Sequence, residues 1–274
     1  MQNPSSALTI LKFFAPAPTS VLEALRHKPL GNAVILKFLQ NSPKSVTGYH
    51  IAGNAETATM LVINNRWNDF DRETYPTATS TALISSDNPT FTQALVEILP
   101  RHETLVFKLA NEMDRDVVAQ QFPLERQRAL LSYSTRNHVA GDESIAINWN
   151  SRQAPFELFA AQGHSQRWLA PLIDNGRAFT CAFEENGKAL SACFAFQIDD
   201  KIWEIGGVYT LPQARRRKLA KSVVSAATAE LVQSNRLPRY QAEDTNKPSI
   251  QLAESLGMTR CLTLTHYLST ASVK

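Results

Sequence analysis

The sequence has few cysteines, and they form no recognisable pattern. Only three occur among the 274 residues, Cys181, Cys193 and Cys261, and their spacing fits no zinc-binding motif. An odd and small set cannot build a disulfide framework, so the sequence predicts a reducing, cytoplasmic compartment and no bound metal. No stretch approaches the roughly 18 apolar residues that cross a bilayer, so no membrane partner is expected.

Two common phosphate-binding motifs are also missing. The sequence contains no GxxxxGK[ST] loop, and no GxGxxG segment follows a predicted strand. P-loop nucleotide hydrolysis and Rossmann dinucleotide binding therefore lose their main support.

With 43% hydrophobic and 19% charged residues, the composition is that of a globular chain, not a disordered one. The length corresponds to about two domains of ordinary size. A net charge of +3 does not by itself point to nucleic acid.

Positive charge is concentrated in one short window of the second half. The window contains Arg215, Arg216, Arg217, Lys218 and Lys221, between a predicted strand and a predicted helix. Backbone N–H groups at a helix start have no intrahelical partner, and the helix dipole adds positive charge there. Four consecutive cationic residues at such a place predict a phosphate site, not a site for a single carboxylate.

The second half shows the element order β-β-β-α-β-α-β after a helical stretch at residues 155–172. The predicted elements are strands 177–184, 188–198 and 201–210, a helix from 219 to about 234, a strand 239–243, a helix 246–257 and a final strand 261–268. Glu185-Asn186-Gly187 is a sequence typical of a hairpin turn, and it predicts one between the first two of these strands. Since Cys181 and Cys193 flank this turn almost symmetrically, we expect them to be buried cross-strand neighbours.

The first half has a similar order of elements. Its predicted elements are a strand 80–84, a helix 91–99, a strand 104–109, a helix 114–122 and a strand 129–134. Aligning residues 110–133 with 244–267 gives four identities in 24 positions. The matched element order predicts an internal duplication, with domains at 1–137 and 138–274.

Residues 202–258 resemble the GNAT superfamily of acyl-CoA-dependent N-acetyltransferases. The family's phosphate loop reads [QR]-x-x-G-x-[GA], and Arg215 and Ala220 match its first and last positions. Val208-Tyr209-Thr210-Leu211-Pro212 is similar to the preceding strand end, and Asn246, Ser249 and residues 253–258 are similar to the second motif. The resemblance implies a mixed α/β (α+β) fold, with a mostly antiparallel central sheet flanked by helices. It implies two such halves in tandem, the first degenerate.

The same resemblance implies acetyl-CoA as co-substrate. The residues implied to bind it are Val208, Tyr209, Thr210, Arg215, Arg216, Arg217, Lys218, Leu219, Ala220, Asn246 and Ser249. The loop amides would hold the pyrophosphate, and the Val208 N–H would face the thioester oxygen. Lys218 replaces the family's glycine, and Ala253 replaces its tyrosine acid. Tyr209, Tyr240 and Tyr267 are possible substitutes for that tyrosine acid by residue type. Loop 85–89 of the first half has an acidic residue and no basic one, so at most one CoA site is expected.

Glu204 is the candidate general base that the resemblance implies. An amine with a pKa of ~10 is mostly protonated at neutral pH and must lose a proton before it attacks a thioester. The equally weighted alternative is that Glu204 is a solvent-facing residue or an ion-pair partner. Gly206-Gly207 in mid-strand predicts a bulge or a close ligand approach, with an accommodation of neighbouring side chains as the alternative.

These features predict an N-acetyltransferase that carries an acetyl or other acyl group from acetyl-CoA to an amine by direct attack, with Glu204 as base. The acceptor, a small molecule or another amine, is not identified, and the oligomeric state stays open. Two alternatives remain. One is a catalytically silent GNAT-fold module that binds CoA or another anion. The other is a basic patch for an acidic protein or nucleic acid, although the window lacks aromatic residues for base stacking.

Overall fold

The computed structural model describes residues 8–41, 46–53, 55–137 and 139–271. By internal contacts the chain divides into two compact units, Met1–Leu130 with Leu262–Lys274, and Leu131–Cys261. Most of the final strand therefore belongs to the first unit. The domains predicted from the sequence, 1–137 and 138–274, place that strand in the second. Those domains stay a prediction. Among the described helices, none combines the length and apolar character that crossing a membrane requires.

The first unit is a sheet with helices between its strands. Its elements are β1 (Leu11–Phe14), α1 (Thr19–Arg26), α2 (Ala33–Asn41), β2 (Val46–Gly53), β3 (Glu56–Asn64), α3 (Asp69–Thr74), β4 (Ser80–Ser86), α4 (Pro89–Val96), β5 (Leu105–Leu109), α5 (Glu112–Ala119), the start of β6 (Glu125–Ser134) and most of β12 (Thr259–Ser269). The strand order is β1-β2-β3-β4-β5-β12. Among the strand pairs within the described part of this unit, β4 and β5 run parallel and the others run antiparallel. The elements predicted from residue 80 to 134 are all present.

Asparagine caps position the helices of this unit. The side chains of Asn68, Asn88 and Asn111 accept hydrogen bonds from backbone N–H groups at the starts of α3, α4 and α5. Such caps satisfy donors that a helix leaves unpaired at its first turn. Residues 65–67 form a short 3₁₀ turn that leads through Asn68 into α3.

The second unit contains the predicted meander. Its elements are the end of β6, β7 (Ile145–Asn148), α6 (Phe156–Ala160), α7 (Gln166–Asp174), β8 (Ala178–Glu185), β9 (Lys188–Gln197), β10 (Ile202–Thr210), α8 (Leu219–Gln233), β11 (Leu237–Glu243) and α9 (Lys247–Ser255). The strand order is β6-β11-β10-β9-β8-β7, with β10 and β11 parallel. The predicted helical stretch 155–172 forms two helices, because Gly163 takes a φ of +77° between them.

The core of the second unit lies between its sheet and α8. Val223, Val224, Ala227 and Leu231 of α8 are buried in one cluster with Trp203, which is 2% exposed. Cys181 and Cys193 face each other in the β8–β9 register, and both are buried. The expectation that they are packed cross-strand neighbours is confirmed.

Candidate active site

Strand β10 loses regular pairing on both sides at its midpoint. It pairs with β11 only from Ile202 opposite Leu237 to Ile205 opposite Tyr240. On its other side the register with β9 shifts between Gly206 and Tyr209. The bulge expected at Gly206-Gly207 is confirmed, and the end of β10 is left free to line an opening toward β11.

Gly207 also makes room for an aromatic ring. Its φ is +61°, and a Cβ at this position would lie 2.2 Å from a ring atom of Phe194. A side chain is therefore excluded by the backbone conformation and by the packing together. The accommodation of a neighbouring side chain, which was the alternative from the sequence, also applies, and the ring concerned is that of Phe194 on β9.

The basic loop after β10 leaves a row of amide groups unpaired. Within the described residues, no hydrogen bond uses the backbone N–H of residues 216–220, and the next amide, of Lys221, bonds to the Lys218 carbonyl at 2.9 Å. Lys218 is the N-cap of α8 and has φ 63°, in the left-handed region. Lysine thus takes the conformation suited to the family's glycine, at a strain of about 1–2 kcal/mol. The loop backbone remains able to face an anion.

A cleft of about 720 Å³ opens at this loop. Most residues implied to bind the co-substrate line it, namely Val208, Tyr209, Thr210, Arg215, Arg216, Lys218, Leu219, Ala220 and Ser249. Lys221 of the basic window and Tyr240, a possible substitute acid, also line it. The structure further brings residues to the cleft that the sequence did not indicate, namely Gln162, Ala214, Pro248, Gln251, Leu252 and Ser255. The helical spacing of residues 248, 251, 252 and 255 was the signal available for the α9 wall.

Arg217 and Asn246 do not line the cleft. The Arg217 guanidinium forms an ion pair with Glu185 at 2.8 Å and lies 5.6 Å from the centre of the Phe183 ring. The Asn246 side chain accepts a hydrogen bond from the Ser249 N–H and caps α9. Asn246 therefore shapes the wall that carries Ser249. The structure gives neither residue a direct place in the cleft.

The cleft is electrically positive. Its lining contains four cationic side chains, and none of the described lining residues is acidic. The Arg215 Nε donates to the Thr210 carbonyl at 3.4 Å, and the Lys221 Nζ donates to the Ser255 carbonyl at 3.0 Å. The combination of cations and unpaired amides favours a ligand with several phosphate charges.

Tyr240 stands in the cleft where β10 and β11 separate. It is 4% exposed, and its backbone lies opposite Ile205, the last residue of β10 in register with β11. Burial raises the pKa of the Tyr240 hydroxyl, and a hydrogen bond with Ser249 opposes that rise. The position that carries the family's tyrosine, Ala253, is fully buried in the hydrophobic core. Tyr209 also lines the cleft, whereas Tyr267 belongs to β12 of the first unit.

Glu204 is engaged in a buried ion pair. Its carboxylate contacts the guanidinium of Arg239, which lies directly opposite on β11 and is fully buried. Arg239 also donates through Nε to the Ser132 Oγ at 3.2 Å. Glu204 does not line the cleft. The ion-pair role considered from the sequence is thus present, and the general-base role stays a prediction.

Aromatic side chains surround the bulge on the side of α6 and α7. The Phe194 ring packs edge-on against His164 at 4.9 Å and Phe159 at 5.2 Å between ring centres. Trp168 lies 5.8 Å from Phe194 and is 43% exposed. His164 therefore belongs to an aromatic cluster, and it follows the cleft residue Gln162 by two positions along the chain.

Among the residues that the structure describes, no group of three His, Cys, Asp or Glu side chains is placed to hold a metal ion.

The sequence model of the GNAT acetyltransferase family matches residues 175–267. This part of the chain is similar to GNAT acetyltransferases. The match includes β10, the basic loop and α9, which contribute most of the residues that line the cleft. No curated protein matches the sequence.

Solved structures extend the likeness to the whole length. A GNAT acetyltransferase from Colwellia psychrerythraea is 14% identical with a TM-score of 0.60, covering 96% of this chain and 100% of that one. A GCN5-related N-acetyltransferase from Sphaerobacter thermophilus is 10% identical with a TM-score of 0.57, covering 94% and 95%. A tandem GNAT protein from the clavulanic acid biosynthesis pathway is 11% identical with a TM-score of 0.56, covering 97% and 99%. The predicted fold class, a mixed α and β structure of two halves similar in fold to the tandem GNAT protein, is confirmed.

Proposed function

We propose that this chain transfers an acyl group from acyl-CoA, with acetyl-CoA as the first candidate, to an amine. The row of unpaired amides at residues 216–220, placed at the end of the diverging strand β10, is the observation that carries this proposal. The match to the GNAT family supports acyl transfer as the reaction class. The acceptor is proposed to be a small molecule or another amine, and the compartment the cytoplasm.

The residues present suit an acyl-CoA. The amides of 216–220, with Arg215 and Arg216, would bind the diphosphate, because N–H groups and cations converge there. Val208, Tyr209 and Thr210 offer peptide groups along the cleft to the amide-containing arm, and the Val208 N–H would polarise the thioester carbonyl. When bound, acyl-CoA supplies the activated acyl group.

Three proton movements accompany the transfer. The ammonium group first loses one proton, and the free amine nitrogen then forms a bond to the acyl carbon while the carbon–sulfur bond breaks and the sulfur keeps the electron pair. The nitrogen loses its second proton to give the amide, and the sulfur takes up a proton to give the free thiol of CoA. Tyr240 is the proposed donor to that sulfur, because its hydroxyl stays protonated at neutral pH and it lines the cleft. The base predicted from the sequence, Glu204, would act through water, since its carboxylate is bound to Arg239.

The catalytically silent CoA-binding module remains a second candidate. It is favoured by the engagement of Glu204 with Arg239 and by the placement of Ala253 in the core, where the family has its tyrosine. Such a module would bind acyl-CoA and leave the thioester intact.

Calorimetric titration with acetyl-CoA and with CoA tests the proposal. We expect saturable binding in the micromolar range that Arg215→Glu abolishes. Arg217→Glu is the matched control, because it reverses the same charge in the same loop at a residue outside the cleft. Absence of binding at millimolar ligand would contradict the proposal.

A screen of amines for thiol release then separates the two candidates. An enzyme releases free CoA only when its acceptor is present. Tight binding of acetyl-CoA with no thiol release for any class of amine would favour the silent module.

A further inference from the structure

Two cationic side chains in the cleft have no hydrogen bond or ion pair within the part of the chain that the structure describes. These are Arg216 and Lys218, whereas Arg217 is held by Glu185 and Lys221 by the Ser255 carbonyl. Arg216 and Lys218 both have positive φ values, 65° and 63°. Because residues with a Cβ rarely adopt this conformation, two of them flanking one position mark a loop whose shape is strongly imposed.

The charge in the cleft exceeds what a diphosphate requires. A diphosphate diester carries two negative charges, and the amides of residues 216–220 already offer it five donors. Four cationic side chains line the same cleft, and none of its described lining residues is acidic. Because this positive charge exceeds the charge of a diphosphate, we expect the ligand to carry a further anionic group.

The position of that group is restricted by neighbouring carboxylates. Lys218 and Lys221 also line an adjoining depression, together with Asp142 and Glu143. Hydrogen bonds from Ser144 and Ser222 hold the pKa of Asp142 below its usual range, so this carboxylate is charged and repels phosphate. The place left for another phosphate is therefore on the cleft side of the loop, at Arg216 and Lys218.

We propose that Lys218, with Arg216 beside it, binds the phosphate monoester of the acyl-CoA nucleotide and makes the site selective for CoA over 3′-dephospho-CoA. The inference rests on the proposed function and deepens it. A phosphate monoester carries about −1.5 to −2 charges at neutral pH, more than either bridging phosphate, so a compact ammonium group suits it. The lysine in place of the family's glycine thereby gains a binding role.

The test is calorimetric titration of the whole chain with CoA and, separately, with 3′-dephospho-CoA. We expect the wild type to prefer CoA by about tenfold at low ionic strength, and less at high salt. Lys218→Met should reduce this preference to below about threefold, with the affinity for 3′-dephospho-CoA unchanged. Arg217→Met removes the same charge one residue away, outside the cleft, and should keep the full preference.

Several results would overturn the inference. Equal affinity of the wild type for both ligands would show that the monoester is not recognised. If Lys218→Met lost affinity equally for CoA and for 3′-dephospho-CoA, Lys218 would act on the diphosphate or on the conformation of the loop. Lys218→Gly distinguishes these effects, because it keeps the left-handed backbone, and it must lose the preference as Lys218→Met does. Binding of neither ligand by the wild type would instead overturn the proposed function, and this inference with it.

Discussion

Glu204 and Arg239 face each other across the parallel pair of strands β10 and β11 and form an ion pair in which the arginine is fully buried. The first unit has a comparable pair, since Lys108 of β5 binds Asp71 at 2.7 Å and both side chains are buried. In each unit the buried cation lies on the strand that runs parallel to its neighbour. This recurrence indicates a structural role for the Glu204–Arg239 pair.

Removing Glu204 should therefore destabilise the fold. Glu204→Ala leaves the Arg239 charge buried without its partner, so we expect the free energy of unfolding to fall by about 3–5 kcal/mol. Urea denaturation of the wild type, Glu204→Ala and the double variant Glu204→Leu/Arg239→Met measures this, and the double variant should recover a large part of the loss. A Glu204→Gln variant with full stability and binding but without acyl transfer would assign the carboxylate to catalysis instead.

Gly207→Ala should be more harmful than an alanine at another glycine of positive φ. Its Cβ would meet the Phe194 ring at 2.2 Å, so we expect a loss of about 2–4 kcal/mol in stability. Gly187→Ala is the control, because Gly187 has φ +73° and nothing within 4 Å of its Cβ position. It should lose only about 1 kcal/mol. Thermal or urea unfolding measures the loss of stability in each variant. Equal losses in Gly207→Ala and Gly187→Ala would argue against the contact with Phe194.

Tyr240→Phe tests proton donation in the cleft. The variant keeps the ring that packs at the divergence of β10 and β11 and loses only the hydroxyl, so acetyl-CoA affinity should be unchanged. We expect the rate of acyl transfer to drop about 10- to 100-fold. Tyr209→Phe, also in the cleft, is the matched control and should retain the rate. An unchanged rate for Tyr240→Phe would leave protonation of the sulfur to water.

His266 should make the first unit sensitive to acid. Burial lowers the pKa of this histidine to about 2, with the charges of Lys108 and Arg128 adding to the effect. Since an unfolded histidine has a pKa near 6.5, the unfolded chain binds the extra proton between pH 6.5 and about 2. The free energy of unfolding should thus fall as the pH drops below about 6.5, by up to about 1.4 kcal/mol per pH unit from this group.

Unfolding titrations between pH 7 and 4 check the histidine. His266→Gln should show a smaller loss of stability over this range than the wild type. His102→Gln alters an exposed histidine and should follow the wild type. Parallel curves for the wild type and His266→Gln would contradict the assignment.

Much of the second unit could be predicted because its signals are local. The turn at Asn186-Gly187, the change from strand to helix after Thr210 and the helix end at Gly257 each depend on a few consecutive residues. The first unit was predicted only from residue 80 onward, although Gly53-Asn54 at the end of β2 and Asn68 before α3 are turn and cap signals of the same kind. Nine of the residues implied by the family resemblance line the cleft; Arg217 does not, because Glu185 of the β8–β9 hairpin binds it.

The sequence by itself determined most of the order of elements from residue 80 onward, the basic loop and the bulge at Gly206-Gly207, because periodicity, glycine and charge act within a few residues of one another. Only the tertiary structure decided which groups meet. It paired Glu204 with Arg239, placed Tyr240 in the cleft, gave Lys218 a left-handed backbone and joined β12 to β5. These outcomes depend on strand register and on contacts between distant residues, which a local pattern does not encode.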